Sequence, residues 1–287
     1  MIPIFDASGN RIPFTYNGLT FNSPTSVETD KTGIVVHSIA QSLPADYISD
    51  KLQWKDGSEV YAVTKASRVI VMTGAVYGVS IGAVADYVRA LCSAFDPGRI
   101  SFYNDDTFLP LTYALPTADT TSYPSGAIAL KVFVMPTEVP LTTTSQAGQG
   151  MANRFRLTLI AKDPRSYLQT PVTLAGAGTL TYPTAYPSYP TVTFTMSGAG
   201  NAAFTITNVS SRQVSKSLVL DLSGRSNGQA ITVDFANQRV LVNGTHTQGI
   251  YVSGDWFLTE FGSNAITYTN VTNVGTRTMT VYPAFSS

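Results

Sequence analysis

Reactive and metal-binding side chains are scarce in this chain. Its 287 residues include one cysteine, Cys92, and two histidines, His37 and His246. A single cysteine excludes an intrachain disulfide framework. One thiol and two imidazoles also fall short of the four ligands of a usual structural zinc site. Charge is thin too: 13 % of residues are Asp, Glu, Lys or Arg, against a usual share of ~25 %. Basic and acidic residues are equal in number and the net charge is zero. No basic excess is therefore present for gripping nucleic acid. No run approaches the ~18–20 apolar residues of a membrane-spanning helix. The N-terminal MIPIFDASGN lacks the basic-then-apolar order of a signal peptide. Synthesis in a cytoplasm without export is expected, which makes the sequons at Asn208, Asn243 and Asn270 chance matches in a Thr/Ser/Asn-rich chain.

Catalytic signatures are missing as well. No GxSxG, HExxH, P-loop or CxxC pattern occurs. Asp105-Asp106, the paired carboxylate, sits between two strand candidates and reads as a solvated turn; a glycosidase pair needs two carboxyls converging in a cleft. Oxygen ligands clustered at calcium-loop spacing are not seen. His246 is near Asp255 in sequence only. Ser/His/Asp triads assemble in space, so the sequence leaves that arrangement open without a nucleophile motif to support it. The expectation is a protein that is not an enzyme, with no catalytic, cofactor-binding or metal-binding residue and no cofactor.

What fills the chain is apolar (44 %) and polar-uncharged residues. The apolar share supports a sizeable core. A low-charge surface suits burial against other subunits, because few charges need desolvating; it equally suits a secreted β-protein. Residues 1–66 read as short strands broken by turns such as Asn17-Gly18 and Asp56-Gly57. Residues 67–78 form a near-continuous apolar run, a buried strand. One helix is predicted over 81–95. Ser80 is its N-cap, Val84, Val88, Leu91 and Phe95 form its stripe with Tyr87 beside them, and Asp96-Pro97-Gly98 is its stop. Cys92 lies beside that stripe and reads as an inert thiol.

Strands are expected near 99–103, 108–114, 127–135 and 154–162. In the last, Phe155, Leu157, Leu159 and Ala161 share one face, opposite Arg154, Arg156, Thr158 and Lys162, with Ile160 as the exception. The polar stretch from Thr142 to Gly150 reads as a hairpin tip, either an idle loop or an arm reaching a neighbour. Composition shifts after Asp163-Pro164. Residues 170–190, where Pro183, Pro187 and Pro190 alternate with Tyr182, Tyr186 and Tyr189, read as a loop into a second domain. From Thr191 onward every apolar run has strand length, with Gly and Asn turns between, including one over 255–260. Domains are therefore expected at 1–168 and 169–287.

The most telling stretch is Ile231–Ile266. A strand ends at Asp234, a second ends at Asn243-Gly244, then come Trp256-Phe257-Leu258 and Gly262-Ser263-Asn264 before a final strand. With the strand–helix segment GAVYGVSIGAVADYVRALCSAFDPGRISFY and the strand RFRLTLIAKDPRSYL, this order resembles the distal tail (Dit) proteins of phages with long non-contractile tails. The resemblance covers the chain from about residue 67. It implies a mainly β protein with one helix: an N-terminal tail-tube-like β-sandwich and a C-terminal galectin-like antiparallel β-sandwich. It further implies a virion protein of the tail tip, made in the host cytoplasm and forming a homohexameric ring. That ring would join the tail tube protein to the tail hub or fibres and let DNA pass without specific binding. On this reading 127–135, 154–162 and the loop between them lie at the ring interface. The alternative is a carbohydrate-binding module, with Trp256, Tyr251 and Tyr268 as stacking platforms and Asp255 as a hydrogen-bonding group.

Overall fold

The computed structural model describes residues 2, 4–6, 9–23, 32–42, 45–51, 58–65, 67–103, 108–119, 123, 126–145, 151–161, 163–212 and 214–285. Asp56-Gly57, Asp105-Asp106, Lys162 and the tip 146–150 lie outside the described residues. The chain divides between Ser166 and Tyr167 into two compact units.

The first unit contains β1 (Phe14–Tyr16), β2 (Leu19–Phe21), β3 (Gly33–Ser42), β4 (Ala45–Lys51), β5 (Ser58–Lys65), β6 (Arg68–Gly78), α1 (Ile81–Ala94), α2 (Pro97–Tyr103), β7 (Leu109–Pro116), β8 (Ala127–Pro136), β9 (Leu141–Ser145) and β10 (Met151–Ala161). β4 and β5 pair only with each other; the others run β2-β1-β7-β8-β10-β6-β3, with β9 added to β10. Asn17 and Gly18 both take positive φ between β1 and β2. That is the two-residue turn whose twist matches a hairpin. Alternation in β10 works as read: Phe155, Leu157, Leu159 and Ala161 are buried while Arg154 and Arg156 are exposed. β10 pairs with β6 along its whole length, and Phe155 there faces Gly74. A Cβ at Gly74 would lie 2.0 Å from the Val35 carbonyl oxygen and 2.5 Å from the Phe155 ring, so only glycine lets the strands close.

Ser80 caps α1 by accepting from the Ala83 amide at 3.1 Å. Val84 and Leu91 are buried, Val88 is half-buried, and Phe95 stacks on Tyr16 with ring centroids 4.4 Å apart. The expected strand over 99–103 is a second helix instead. Asp96-Pro97-Gly98 ends α1 and also starts α2: Asp96 Oδ1 accepts from Gly98 N–H at 2.9 Å and Arg99 N–H at 3.4 Å, and Pro97 occupies the first helical position. Those are helix-start chemistry. The stretch expected as a loop from Thr142 is also different, since 141–145 is strand β9, paired with 152–156.

The second unit contains β11 (Ser166–Leu168), β12 (Val172–Ala175), β13 (Gly178–Tyr182), β14 (Thr191–Thr195), β15 (Phe204–Ser210), β16 (Ser215–Leu220), β17 (Ala230–Asp234), β18 (Arg239–Val242), β19 (Thr245–His246), β20 (Tyr251–Gly254), β21 (Gly262–Thr269), β22 (Thr278–Val281) and β23 (Ala284–Phe285). Two antiparallel sheets, β12-β22-β14-β17-β18-β19 and β13-β21-β15-β16-β20, supply one apolar core. Phe194, Phe204, Ile206, Leu218, Ile231, Val233, Phe235 and Met279 face into it. Each large apolar side chain so buried contributes about 1.5–3 kcal/mol.

Two expectations fail here. Residues 170–190 are not simply a loop, because β12 and β13 already belong to the two sheets of the unit. Their Thr/Gly-rich sequence carries little apolar periodicity, and pairing with the C-terminal strands β22 and β21 makes them strands. Nor do residues 255–260 form a strand; only Thr259 makes a bridge, to Ser188. Trp256 and Phe257 are adjacent, and both pack on the core instead of alternating.

Candidate assembly surfaces

The C-terminal landmarks are a set of side-chain-locked turns. Asp234 accepts from Asn237 N–H at 3.2 Å, from Asn237 Nδ2 at 2.7 Å and from Arg239 Nε at 3.1 Å, and so closes the β17–β18 turn. Asn243 and Gly244 take positive φ between β18 and β19, and Asn243 Oδ1 accepts from Ala230 N–H at 2.9 Å. The irregular segment 255–260 is held from below. Asn264, fully buried, donates to the Glu260 carbonyl at 2.7 Å and the Gly262 carbonyl at 3.2 Å, and accepts from Glu260 N–H at 3.1 Å. Asn208 donates to the Leu258 carbonyl at 3.2 Å. Burial of the Asn208 side chain also removes its sequon as a glycan acceptor. Sequence reading missed this amide pair. The signal was parity: Asn208 follows Phe204 and Ile206 on the inward side of an alternating strand.

Those turns hold the aromatic group at the end of β20. Trp256 is half-buried, edge-on to Phe235 at 5.6 Å, and the Tyr251 ring stacks over it at 5.5 Å. Tyr251 is exposed and its hydroxyl donates to the Gly254 carbonyl at 3.0 Å. A sugar ring therefore finds Trp256 already stacked by protein. Tyr268 lies apart from this group in its contacts: it stacks on Phe204, and the Arg277 guanidinium sits 5.3 Å from its ring. Asp255 is exposed, and its N–H donates to the Ser217 carbonyl at 2.8 Å.

The outward face of β3, β6 and β10 in the first unit is mixed: Arg154, Arg156, Thr73 and Thr158 share it with Val69, Val71 and Ile160. Arg156 lies opposite Thr73, and Thr73 opposite Ser38. Thr73 and Ser38 share a hydrogen bond of 2.6 Å. A bulge between Val36 and Ser38 turns out His37, whose Nε2 is 3.3 Å from the Tyr77 hydroxyl. Burial, then the Arg11 and Arg154 charges, push the His37 pKa below its ordinary value. A depression of about 630 Å³ opens there, lined by His37, Thr73, Gly74, Tyr77 and Arg154. Both edges of β10 are occupied, by β6 on one side and by β9 and β8 on the other. Only its face can meet another molecule.

The remaining singled-out residues do not converge. His246 is exposed on β19, and no hydrogen bond or ion pair joins it to Asp255. Cys92 is half-buried and burial pushes its thiol pKa up, which keeps it protonated and unreactive. Among the described residues, no three His, Cys, Asp or Glu side chains gather as a metal site.

Residues 184–282 match the family model described as siphovirus-type tail component, C-terminal domain. No curated protein matches the chain in sequence. Among solved structures, the crystal structure of the Dit protein of phage SPP1 superposes with a TM-score of 0.60 at 14 % identity, over 96 % of this chain and 99 % of that one. It is described as a paradigm of the hub adsorption apparatus in phages infecting Gram-positive bacteria. A chain of the phage p2 baseplate, in its activated conformation with Sr, gives a TM-score of 0.46 at 9 % identity, over 87 % and 90 % of the two chains. The resemblance read from the sequence is thus met twice: a tail-component domain in the second unit, and the fold of a distal tail protein across nearly the whole chain.

Proposed function

We propose that this chain, whose second unit is a siphovirus-type tail component domain, is a structural protein of the phage tail tip that assembles as a six-membered ring. The match over residues 184–282 carries this reading. The ring joins the tail tube protein to the tail hub or fibres, and DNA passes its lumen without being bound specifically. The first unit, 1–168 in the sequence reading, forms the ring. The second is a galectin-like sandwich carried on it. Synthesis is in the host cytoplasm, with incorporation into the virion.

A closed ring needs a heterologous interface, in which one patch meets a different patch on the next copy. Segments 127–135 and 154–162 and the hairpin between them supply it. Because both edges of β10 are occupied, it backs β9, whose edge away from β10, unpaired among the described residues, meets the next copy, and the outward face of β10 is left open. Removing 142–150 outright would take most of β9 with it. Replacing 146–150 by Asn-Gly keeps the β9–β10 pairing. That variant should stay folded and lose ring formation, and intact rings from it would remove the hairpin from the interface.

Mass and symmetry test the whole reading. Light scattering with negative-stain imaging should show six-fold rings with a central hole, alone or on addition of the tail tube protein. A monomer under both conditions would overturn the ring. The carbohydrate-binding alternative has less support, since Tyr251 already covers Trp256. Glycan binding lost in a folded Trp256→Ala variant would revive it.

A further inference from the structure

The strands β3, β6, β9 and β10 contain no Asp or Glu, yet they carry Arg68, Arg154, Arg156 and His37. Arg68 is committed inward: it is fully buried and donates to the Pro164 carbonyl at 3.3 Å, to Ser166 Oγ at 3.2 Å and to Gln41 Oε1. Arg154 and Arg156 are exposed, and neither has an ion-pair or hydrogen-bond partner among the described residues. A third guanidinium, Arg11, reaches β3 and donates to the Val36 carbonyl at 2.7 Å. This face gathers positive charge in a chain whose net charge is zero.

We propose that the outward face of β3, β6 and β10 is a docking site for an extended, carboxylate-bearing segment of a partner protein, anchored by Arg154 and Arg156. Three observations define the occupant. The two arginines stand two residues apart on one strand, so their Cα atoms are separated by ~6.8 Å. An extended segment with Asp or Glu at alternate positions repeats at that same spacing. A guanidinium meets a carboxylate through two parallel hydrogen bonds, which gives such a contact its orientation. The depression beside Arg154, lined also by His37, Tyr77 and Gly74, has room for side chains. Double-stranded DNA requires many phosphate contacts for useful affinity, and two arginines on one strand supply few. Charge complementarity favours a specific protein contact. The site stands on the geometry of the first unit alone and does not depend on ring formation.

The full-length chain, titrated against a fluorescein-labelled alternating Thr/Glu heptapeptide at low salt and followed by anisotropy, tests this. The peptide should bind, and a double Arg154→Gln, Arg156→Gln variant should bind it about tenfold or more weakly, equivalent to ~1.4 kcal/mol or more. Arg154→Lys with Arg156→Lys should retain part of the affinity, having charge without the planar fork. Arg212→Gln, an exposed arginine of the second unit, should change nothing. Thermal melts confirm that each variant is folded. No peptide binding by the unaltered protein, equal binding by the double Gln variant, or tighter binding of a labelled DNA duplex would each overturn the proposal.

Discussion

Asn264 carries more of the second unit's local order than its size suggests. Its amide satisfies the Glu260 N–H and the Glu260 and Gly262 carbonyls, with no water needed. Asn264→Ala leaves those groups unpaired in a buried setting and should cost about 1–3 kcal/mol. Urea unfolding should show that loss, and hydrogen exchange should rise first over 255–262. Tyr268 makes an opposite case, because its hydroxyl is buried without a partner. Burial raises its pKa to about 12, with Arg277 pulling the other way. The folded state thus favours the protonated phenol. Its stabilisation is fully present below the unfolded value of ~10 and is lost as pH rises through the folded value. Tyr268→Phe should therefore be at least as stable as the unaltered protein at neutral pH and fall off less between pH 10 and 12, as read by melting temperature. Gly74→Ala acts on a close approach between strands. Its Cβ would meet the Val35 carbonyl oxygen and the Phe155 ring. Separation of β3 and β6 should lower the melting temperature of the first unit by several degrees.

At the scale of elements, capping decided what periodicity left ambiguous. The run Arg99-Ile100-Ser101-Phe102-Tyr103 has strand composition, yet Asp96 and Pro97 start a helix there. Asp96→Ala should remove that start and raise amide exchange over 98–100, while α1, capped by Ser80, stays protected. The elements legible in advance were those with one strong local rule: β10 by alternation, α1 by its stripe and cap, and the Asn-Gly turns by positive φ. Those misread had weak local rules. β12 and β13 are strands because of partners a hundred or so residues away in β22 and β21. Segment 255–260 has strand composition and is irregular because Asn208 and Asn264 take up its carbonyls.

For the whole molecule, the two units have separate cores, so residues 167–287 expressed alone should fold as a β-rich monomer, checked by circular dichroism and dispersed amide resonances. A molten product would mean that the second unit needs the first. The sequence by itself determined the class of the protein: strands of alternating polarity, one strongly patterned helix, little charge, and the ordered landmarks from Asp234 to Asn264. Those follow from local chemistry, since alternation, caps and turn residues act within a few positions. Only the tertiary structure decided which edges are filled, that Tyr251 covers Trp256, and that Arg154 and Arg156 stand exposed on one face of strands that contain no carboxylate. Such features depend on register between strands far apart in the chain, and a one-residue shift in register would turn every one of those side chains to the other face.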